Sequence, residues 1–320
     1  MEEVLCDDCG KDNYSIVELI DADYEYLRII ADKFTRRQFR VVKCNYCSLI
    51  YLNPRPDTEE IINYYPKEYA CYGGVPPQGF FKKLLYDANF YFKIHPLLKL
   101  LPENGTLLEY GCGNGHWLWG MKKYLKTGQK IIGMDFNQEQ IEKVKKLGIE
   151  AYTGDEKKLL EIIPLESVDI VFLNHVIEHV PAPKNLMLAI HRVLKPSGVI
   201  YGATPNIDAW DPKIFGQYWF GLQAPRHFYL FTRSTLAAYA EKTGFQVLAF
   251  KNDPETSTHW AGSLNTVISE KWWNLPKDVS QVPFYPLLLV LGILVTGVQM
   301  LFSKTSIMTF ILKKSKIFNS

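Results

Sequence analysis

Short apolar runs alternate with amphipathic stretches through the middle of the chain. Each run has the length of a strand, and in the stretch after it apolar residues recur every three or four positions. The run SVDIVFLNHV is apolar on both faces, as expected of a central parallel strand. This repetition predicts a doubly wound α/β sheet. The predicted strands are TLLEYG, KIIGMDF, IEAYTGD, SVDIVFLNHV, VIYGATPN and FQVLAF.

Composition and charge narrow the class of protein. The 320 residues are 47% hydrophobic and 22% charged, which is ordinary for a folded globular chain. The net charge is only +2, whereas nucleic-acid partners usually require a strongly basic surface, so none is expected. The cluster Arg36, Arg37 and Arg40 is interpreted as a solvated face. The acidic N-terminus has no apolar core, so we predict no signal peptide and a cytoplasmic location.

The cysteines predict a structural metal site. Four of the six form two Cys-x-x-Cys pairs, Cys6 with Cys9 and Cys44 with Cys47. Without an export signal, this spacing favours metal ligation over disulfides. Four thiolates complete a tetrahedral zinc site and leave no open coordination position, so the expected zinc is structural. The alternative is two unrelated redox-type pairs. Gly10 follows the first pair, but Ser48 stands where the second would usually have glycine.

A glycine-rich loop follows the first predicted strand. Gly111, Gly113 and Gly115 alternate with single residues, which lets the backbone approach a ligand at the carboxyl end of the sheet. A dinucleotide-binding fingerprint would need another glycine at His116. Acidic residues end the next two strands. A carboxylate after the second strand can bind ribose hydroxyls, and one after the third can reach an adenine edge; these are Asp135 and Asp155.

These motifs together resemble the class I S-adenosylmethionine-dependent methyltransferases. The likeness runs from about residue 106 to residue 250 and keeps LLEYGCGNG, GMDFN, TGDEKKL, SVDIVFLNHVIEHV, HRVLKPSGVI and ATPN in family order. It implies a Rossmann-like, seven-stranded sheet that binds S-adenosylmethionine, with Phe136 stacking on the adenine. The cofactor-binding residues implied are Glu109, Gly111, Gly113, Asp135, Phe136, Asp155 and Asn174.

The resemblance extends to both sides of this region. CDDCG, VVKCNYCSLIYLNPRPDTEEIINYY and QAPRHFYLFTRSTL resemble a bacterial subgroup with an N-terminal four-cysteine zinc domain, often associated with sugar, surface-glycan or other secondary biosynthesis. SIMTFILKK resembles the seventh strand, antiparallel to the sixth. The predicted domains are a zinc ribbon (1–55), a helical linker or cap (56–104), the methyltransferase domain (105–250 with 305–315) and an insertion (251–304).

Three histidines on strand-end loops are candidates for a general base. Histidine suits this role near neutral pH, and a hydroxyl or carbon-acid acceptor needs one. The three histidines are His175, His179 and His227, and His227 is preferred. His175 and Tyr229 are further catalytic candidates. The adjacent Arg226 could bind a phosphate or carboxylate of the acceptor, or form a salt bridge to the core instead.

The segment HVIEH also matches a zinc-protease motif. On a helix, His175, Glu178 and His179 would share one face and could hold a metal. The segment directly follows a buried strand, and Val180-Pro181 ends any helix within a turn. A protease is therefore not expected. The methyltransferase interpretation places Asn174 and His175 at the floor of the cofactor pocket.

An uncharged segment runs from Val282 to Ser303. Its length would allow a transmembrane helix, but a strand of the sheet is predicted to follow it, so both ends lie on one side of any bilayer. A peripheral membrane contact through residues 284–302 and packing on the protein or a partner subunit both remain open. Interfacial anchors are expected at Trp272, Trp273, Phe284 and Tyr285, and lipid-facing cations at Lys304, Lys313, Lys314 and Lys316.

The sequence predicts methyl transfer to a small-molecule acceptor. A sugar or glycan intermediate, with or without a lipid carrier, is the first hypothesis. A quinone-type or other lipid O-methyltransferase is the second. A zinc-ribbon adaptor with a non-catalytic methyltransferase fold is an alternative from another class, and a turnover assay separates it from the enzymes.

Overall fold

In the computed structural model the chain folds around two β-sheets. The structure describes residues 1–21, 38–65, 90–91, 93–271 and 282–315. The features expected at Arg36, Arg37, Trp272, Trp273 and Lys316 lie outside these ranges. The described strands are β1 Tyr14–Asp21, β2 Gln38–Cys44, β3 Ile50–Leu52, β4 Thr106–Tyr110, β5 Lys130–Asp135, β6 Glu150–Thr153, β7 Val168–Asn174, β8 Leu194–Pro205, β9 Tyr229–Leu230, β10 Phe245–Asn252 and β11 Ile307–Lys314.

The larger sheet confirms the predicted architecture. Its seven strands lie in the order β10-β11-β8-β7-β4-β5-β6. Strands β4 to β8 pair in parallel, whereas β11 is antiparallel to both of its neighbours, β10 and β8. The expected antiparallel pairing of the last two strands is therefore confirmed. Strand β7 is buried along its length except at Asn174, in keeping with its continuous apolar sequence.

Helices follow the strands, as the sequence pattern predicts. Asn137, Asp155 and Thr232 start three of them by accepting backbone N–H groups of the first turn. Residues 90–91 and 93–98 are helical, in the described part of the predicted helical linker or cap. The other described helices are α1 His116–Lys122, α2 Gln138–Lys146, α3 Glu156–Ile162, α4 Pro183–Val193, α5 Trp210–Phe215, α6 Arg233–Lys242, α7 Thr256–Lys271 and α8 Tyr285–Leu301, with 3-10 turns at Ile61–Tyr64 and Gly216–Tyr218.

The smaller sheet is shared between distant parts of the chain. Its order is β1-β2-β3-β9, so its last strand comes from residues 229–230, outside the predicted boundary at residue 55. Asp8 also binds Lys242 of α6 at 2.7 Å, and Asp7 accepts the backbone N–H of Lys184 in α4 at 3.0 Å. The N-terminal region is therefore built into the α/β domain by a shared strand and by side-chain contacts.

The insertion before β11 forms α7 and α8, which pack against each other. At Gly292 of α8, an added Cβ would lie 2.4 Å from the carbonyl oxygen of Ser257 in α7, so only glycine allows this close approach. Among the described helices, none has the length and apolar character needed to cross a bilayer.

Candidate functional site

The glycine loop is held in one conformation by its neighbours. Gly111, Gly113 and Gly115 all have positive φ, which favours glycine. A Cβ on Gly111 would lie 2.5 Å from Cγ2 of Val176, and one on Gly115 would lie 2.9 Å from Cγ2 of Val144. The loop therefore leaves no space for side chains at these two positions, and its backbone forms the floor of a site at the carboxyl end of β4.

Asp135 fixes this loop to the end of β5. Its carboxylate accepts the N–H of Gly113 at 2.8 Å and the N–H of Asn137 at 2.9 Å, one on each oxygen. Burial raises the pKa of Asp135, and the hydrogen bonds from Asn137 and Gly113 oppose this shift. A carboxylate has about four lone-pair sites, so these two bonds leave acceptor capacity for ribose hydroxyls.

Two buried acceptors at this edge have no hydrogen-bond partner. They are Oε2 of Glu109 at the end of β4 and Oδ1 of Asn174 at the end of β7. Burial, and then the charge of Asp135, raise the pKa of Glu109 well above its ordinary value. Buried polar atoms are nearly always satisfied in proteins, so this pair indicates a site for a donor or a cation.

The other two predicted cofactor contacts lie nearer the surface. The Phe136 side chain is 55% exposed, and its ring meets that of Tyr65 edge-on at 5.9 Å between centroids. Asp155 caps α3, its Oδ1 accepting the N–H groups of Lys157 and Lys158. Tyr65 was not predicted from the sequence as a site residue. It is the second tyrosine of INYYP, and this short segment carries no local signal of function.

The HVIEH segment forms turns rather than the helix that a zinc protease requires. His175 has a φ of 54°, and its Nδ1 lies 3.2 Å from Oε1 of the fully buried Glu178. Oε2 of Glu178 accepts the hydroxyl of Thr204 at 2.9 Å. Burial alone would lower the pKa of His175, but the hydrogen bond and charge of Glu178 outweigh it and raise the pKa.

The buried His227 and the partly buried His179 form a second pair, with ring centroids 4.5 Å apart. Nδ1 of His227 lies 2.8 Å from the carbonyl oxygen of Gly221, and Nδ1 of His179 lies 3.0 Å from that of Arg226. A carbonyl oxygen only accepts, so Nδ1 of His227 carries the proton and its Nε2 keeps its lone pair. Nδ1 of His179 also lies 3.0 Å from the hydroxyl oxygen of Tyr65, which can donate or accept. Burial lowers the pKa of His179 to about 4 and that of His227 well below its ordinary value.

Arg226 and Tyr229 lie deeper than expected for acceptor contacts. Arg226 is 1% exposed, with the carbonyl oxygen of Tyr64 at 3.5 Å from its Nη1. The hydroxyl of Tyr229 donates to the carbonyl oxygen of Pro181 at 3.0 Å and accepts from Arg55 at 3.0 Å. Tyr229 thus contacts the N-terminal region, and the structure does not bring its hydroxyl to the glycine loop.

Comparison with known proteins decides the family. A family profile described as "Methyltransferase domain" matches residues 86–249, just over half of the chain. The chain belongs to this methyltransferase family. Its sheet order, glycine loop and strand-end acids are those of the class I S-adenosylmethionine-dependent methyltransferases, the family its motifs resemble.

Individual relatives match this chain only in part. A probable S-adenosylmethionine-dependent methyltransferase of Mycolicibacterium smegmatis is 28% identical over 40% of the chain and 50% of its own length. The ubiquinone biosynthesis O-methyltransferase of Hahella chejuensis is 29% identical over 41% and 58%. A SAM-dependent methyltransferase structure from Archaeoglobus fulgidus has 18% identity and a TM-score of 0.48, covering 71% of this chain and 94% of its own. The chain spans about half the length of the curated relatives it matches.

The methyltransferase site fits S-adenosylmethionine. The cofactor carries a sulfonium and an ammonium group, and the unpartnered oxygens of Glu109 and Asn174 offer buried acceptors for positive charge. The loop at Gly111 gives backbone access, and Asp135 and the exposed ring of Phe136 lie at the adjacent strand end. These residues would hold the cofactor across β4, β5 and β7.

Four sulfur atoms converge in the N-terminal region of the methyltransferase. The sulfurs of Cys6, Cys9, Cys44 and Cys47 lie within 4.8 Å of one another, with 3.3 Å from Cys6 to Cys47 and 3.5 Å from Cys9 to Cys44. Zn–S bonds of about 2.3 Å require sulfurs roughly 3.8 Å apart, so this cluster fits a tetrahedral zinc ion. Ser48 has a φ of 64°, close to the 70° of Gly10, so both turns have the same backbone form.

Proposed function

We propose that this protein transfers the methyl group of S-adenosylmethionine to a small-molecule acceptor, with His175 as the general base. The observation that supports the proposal is the His175–Glu178 pair at the end of β7, beside the glycine loop and the two unpartnered acceptors. Family membership supports the methyl donor, and the histidine supports an acceptor that must lose a proton.

His175 is preferred to His227 because its surroundings favour a working base. Nδ1 of His175 faces Glu178, which leaves Nε2 to take a proton from the acceptor. The His175 side chain is 26% exposed and can be reached by an acceptor, whereas that of Glu178 is 1% exposed. A base is most effective when its pKa lies near the working pH. Glu178 raises the pKa of His175, whereas burial depresses that of His227.

The chemistry divides between cofactor and protein. Bound S-adenosylmethionine supplies an activated methyl group. Glu109 and Asn174 would orient its charged end, and Asp135 its ribose, so that the methyl group faces the acceptor in line. Nε2 of His175 would take the acceptor proton, and Glu178 would stabilise the resulting imidazolium. The packed rings of His179 and His227 would exclude water from one side of the site.

The acceptor we propose is a sugar or glycan intermediate, as the motif likeness of the N-terminal region implies. A quinone or another lipid is the second candidate. It is favoured by the relative named ubiquinone biosynthesis O-methyltransferase and by the apolar face of α8 described below. Arg226 would serve either acceptor indirectly, by positioning the segment that carries His227.

The deciding experiment uses cofactor with a labelled methyl group, purified protein and an extract of host cells. We expect label transfer that Asp135→Ala abolishes through lost cofactor binding. We expect His175→Gln to lower kcat by about a hundredfold to ten-thousandfold while the cofactor Kd changes little. Label in the aqueous phase would support a sugar acceptor, and label in the organic phase a lipid. Cofactor binding without transfer would favour the adaptor hypothesis, and loss of activity in His227→Gln but not His175→Gln would overturn the base assignment.

We further propose that Cys6, Cys9, Cys44 and Cys47 bind one structural zinc ion. The convergence of four sulfurs and the equivalent turns after each pair support it. A metal count of one zinc per chain is expected. The ligand atoms of Glu178, His179 and His227 also lie within 4.8 Å of one another. A second zinc ion bound there would favour a metal-dependent mechanism over the one proposed.

A further inference from the structure

Helix α8 has its polarity reversed relative to a normal surface helix. Its polar side chains, Thr296 and Gln299, are buried at 4% and 0% exposure, on the face that also holds Leu288 and Gly292. A surface helix ordinarily turns its apolar stripe inward and its polar residues to water. The inward face of α8 is instead held by hydrogen bonds of Gln299, and most of the apolar residues of the helix are left outside.

Hydrogen bonds fix α8 in this orientation. Gln299 accepts the indole N–H of Trp260 at 2.8 Å and donates to Asp211 at 3.2 Å and to the carbonyl oxygen of Lys304 at 2.8 Å. Asp211 in turn accepts the indole N–H of Trp219 at 2.6 Å. Leaving these buried groups unpaired would cost free energy, so the helix cannot rotate to bury its apolar side.

The outward face is a continuous aliphatic stripe, here called the α8 face. Three leucines along it, Leu287, Leu294 and Leu301, are 60%, 64% and 82% exposed. Their neighbours on this face recur at helical spacing over a helix about 25 Å long. The exposed apolar residues of the face are Leu287, Val290, Leu291, Ile293, Leu294, Val298 and Leu301.

We propose that the α8 face lies in the interfacial layer of a membrane containing anionic lipid. The face is built from leucine, valine and isoleucine, and the segment from Val282 to Ser303 has no charged residue. Protein interfaces are instead enriched in aromatic residues, methionine and arginine, with a polar rim. A helix of this kind inserts an apolar face into the lipid without crossing the bilayer.

Both ends of α8 have features that suit this placement. Tyr285 begins the helix, and Phe302 follows it and packs on Trp210 with ring centroids 5.3 Å apart. Such aromatic rings are typical of the membrane–water boundary. At the same end, Lys213 and Lys304 share the carboxylate of Asp208, so these three side chains together carry one more positive than negative charge. Lys251 of β10 is also exposed. It lies near this end of α8, because the next residue, Asn252, donates a hydrogen bond to the carbonyl oxygen of Met300.

Vesicle flotation of the full chain tests the proposal. The probes are phosphatidylcholine vesicles with and without phosphatidylserine, and the protein is expected to float more strongly with the anionic lipid and less at high salt. The double variant Leu287→Glu/Leu294→Glu should weaken binding by about a hundredfold or more. The matched control Ile16→Glu/Leu165→Glu alters two residues of similar exposure, 56% and 54%, far along the chain, and should bind as the original protein does.

The result can also contradict the proposal. If the protein does not float with either vesicle, or the two double variants float equally, the α8 face does not bind lipid. Sedimentation that shows a dimer, which the α8 variant alone converts to a monomer, would make a second copy the occupant. Cofactor binding by each variant checks folding, and Leu287→Gln/Leu294→Gln is the milder variant if the glutamates unfold the chain. Since binding is measured without an acceptor, failure here leaves the proposed methyl transfer intact.

Discussion

Glu109 is a side chain whose surroundings oppose its ordinary charge. It lies at 2% exposure with one oxygen unpartnered, and burial and Asp135 raise its pKa. The folded protein without cofactor therefore binds more protons than the unfolded chain at pH values between the ordinary pKa and the raised one. Stability contributed by the protonated group is consequently lost as pH rises through the raised pKa.

Glu109→Gln should make the cofactor-free protein more stable. Glutamine cannot ionise, so the gain in Tm should be small near about pH 5 and should grow toward about pH 8. The same variant should bind S-adenosylmethionine about tenfold or more weakly, because it loses a charge-assisted contact. Thermal unfolding across this pH range and calorimetric titration measure the two effects. A Tm gain that does not depend on pH would contradict the assigned protonation.

His175 and Glu178 predict a specific pH profile. A base must be neutral to accept a proton, so kcat should rise with pH through the raised pKa of His175. Glu178→Gln removes the charge that raises it, so the acidic limb should move to lower pH while kcat falls. The matched substitution His191→Gln, at a partly buried histidine in the last turn of α4, should leave the limb in place. An unmoved limb in Glu178→Gln would rule out the pair as the titrating unit.

At the scale of single elements, the glycine loop depends on both conformation and space. Gly111 and Gly148 share positive φ values of 76° and 68°. A Cβ at Gly111 meets Val176 at 2.5 Å, whereas one at Gly148 meets only the flexible end of Lys122 at 3.3 Å. Alanine at Gly148 therefore introduces backbone strain alone, whereas alanine at Gly111 introduces both backbone strain and steric overlap.

Gly111→Ala should destabilise the protein by about 3 kcal/mol and abolish cofactor binding, because strain and overlap add. Gly148→Ala should cost about 1 kcal/mol and leave the cofactor Kd unchanged. Denaturant unfolding and cofactor titration of both variants provide the comparison. Equal losses in the two variants would mean that overlap with Val176 is relieved by movement.

Elements with local signals were predicted from the sequence, and elements formed by distant pairing were not. The strands of the large sheet and the glycine loop follow from short patterns, because strand periodicity and turn residues act within a few positions. Strand β9 is two residues long and exists only because β3 lies beside it. The burial of Gln299 depends on Asp211, 88 residues away. Likewise, the hydrogen bonding of the His227 ring depends on which carbonyl oxygen it contacts in the folded protein, and the sequence does not show this.

At the scale of the whole molecule, the pairing of β3 with β9 connects the predicted zinc site to the site at the glycine loop. Strand β9 begins two residues after His227, and it pairs with β3, which follows the second cysteine pair. Tyr229 packs on Tyr51 of β3 with ring centroids 6.4 Å apart. A change in the N-terminal sheet should therefore also shift His179 and His227.

Loss of the proposed zinc ion should lower both stability and activity. Cys44→Ser should reduce the zinc content and lower Tm by about 10 °C or more, with a fall in kcat. Cys112→Ala, which changes a buried cysteine outside the cluster, should keep one zinc per chain. Metal analysis and thermal unfolding are the measurements. A Cys44→Ser protein with unchanged Tm would show that the cluster is not a structural metal site.

Strand β11 lies between β8 and β10, although it follows both in the chain. During synthesis on the ribosome, β10 is made before β11, the described strand that joins it to the rest of the large sheet. The gap between β8 and β10 stays open until residues 307–314 have left the exit tunnel. A nascent chain that stalls before this point exposes two unpaired strand edges, which are the feature that chaperones protect and that aggregation exploits.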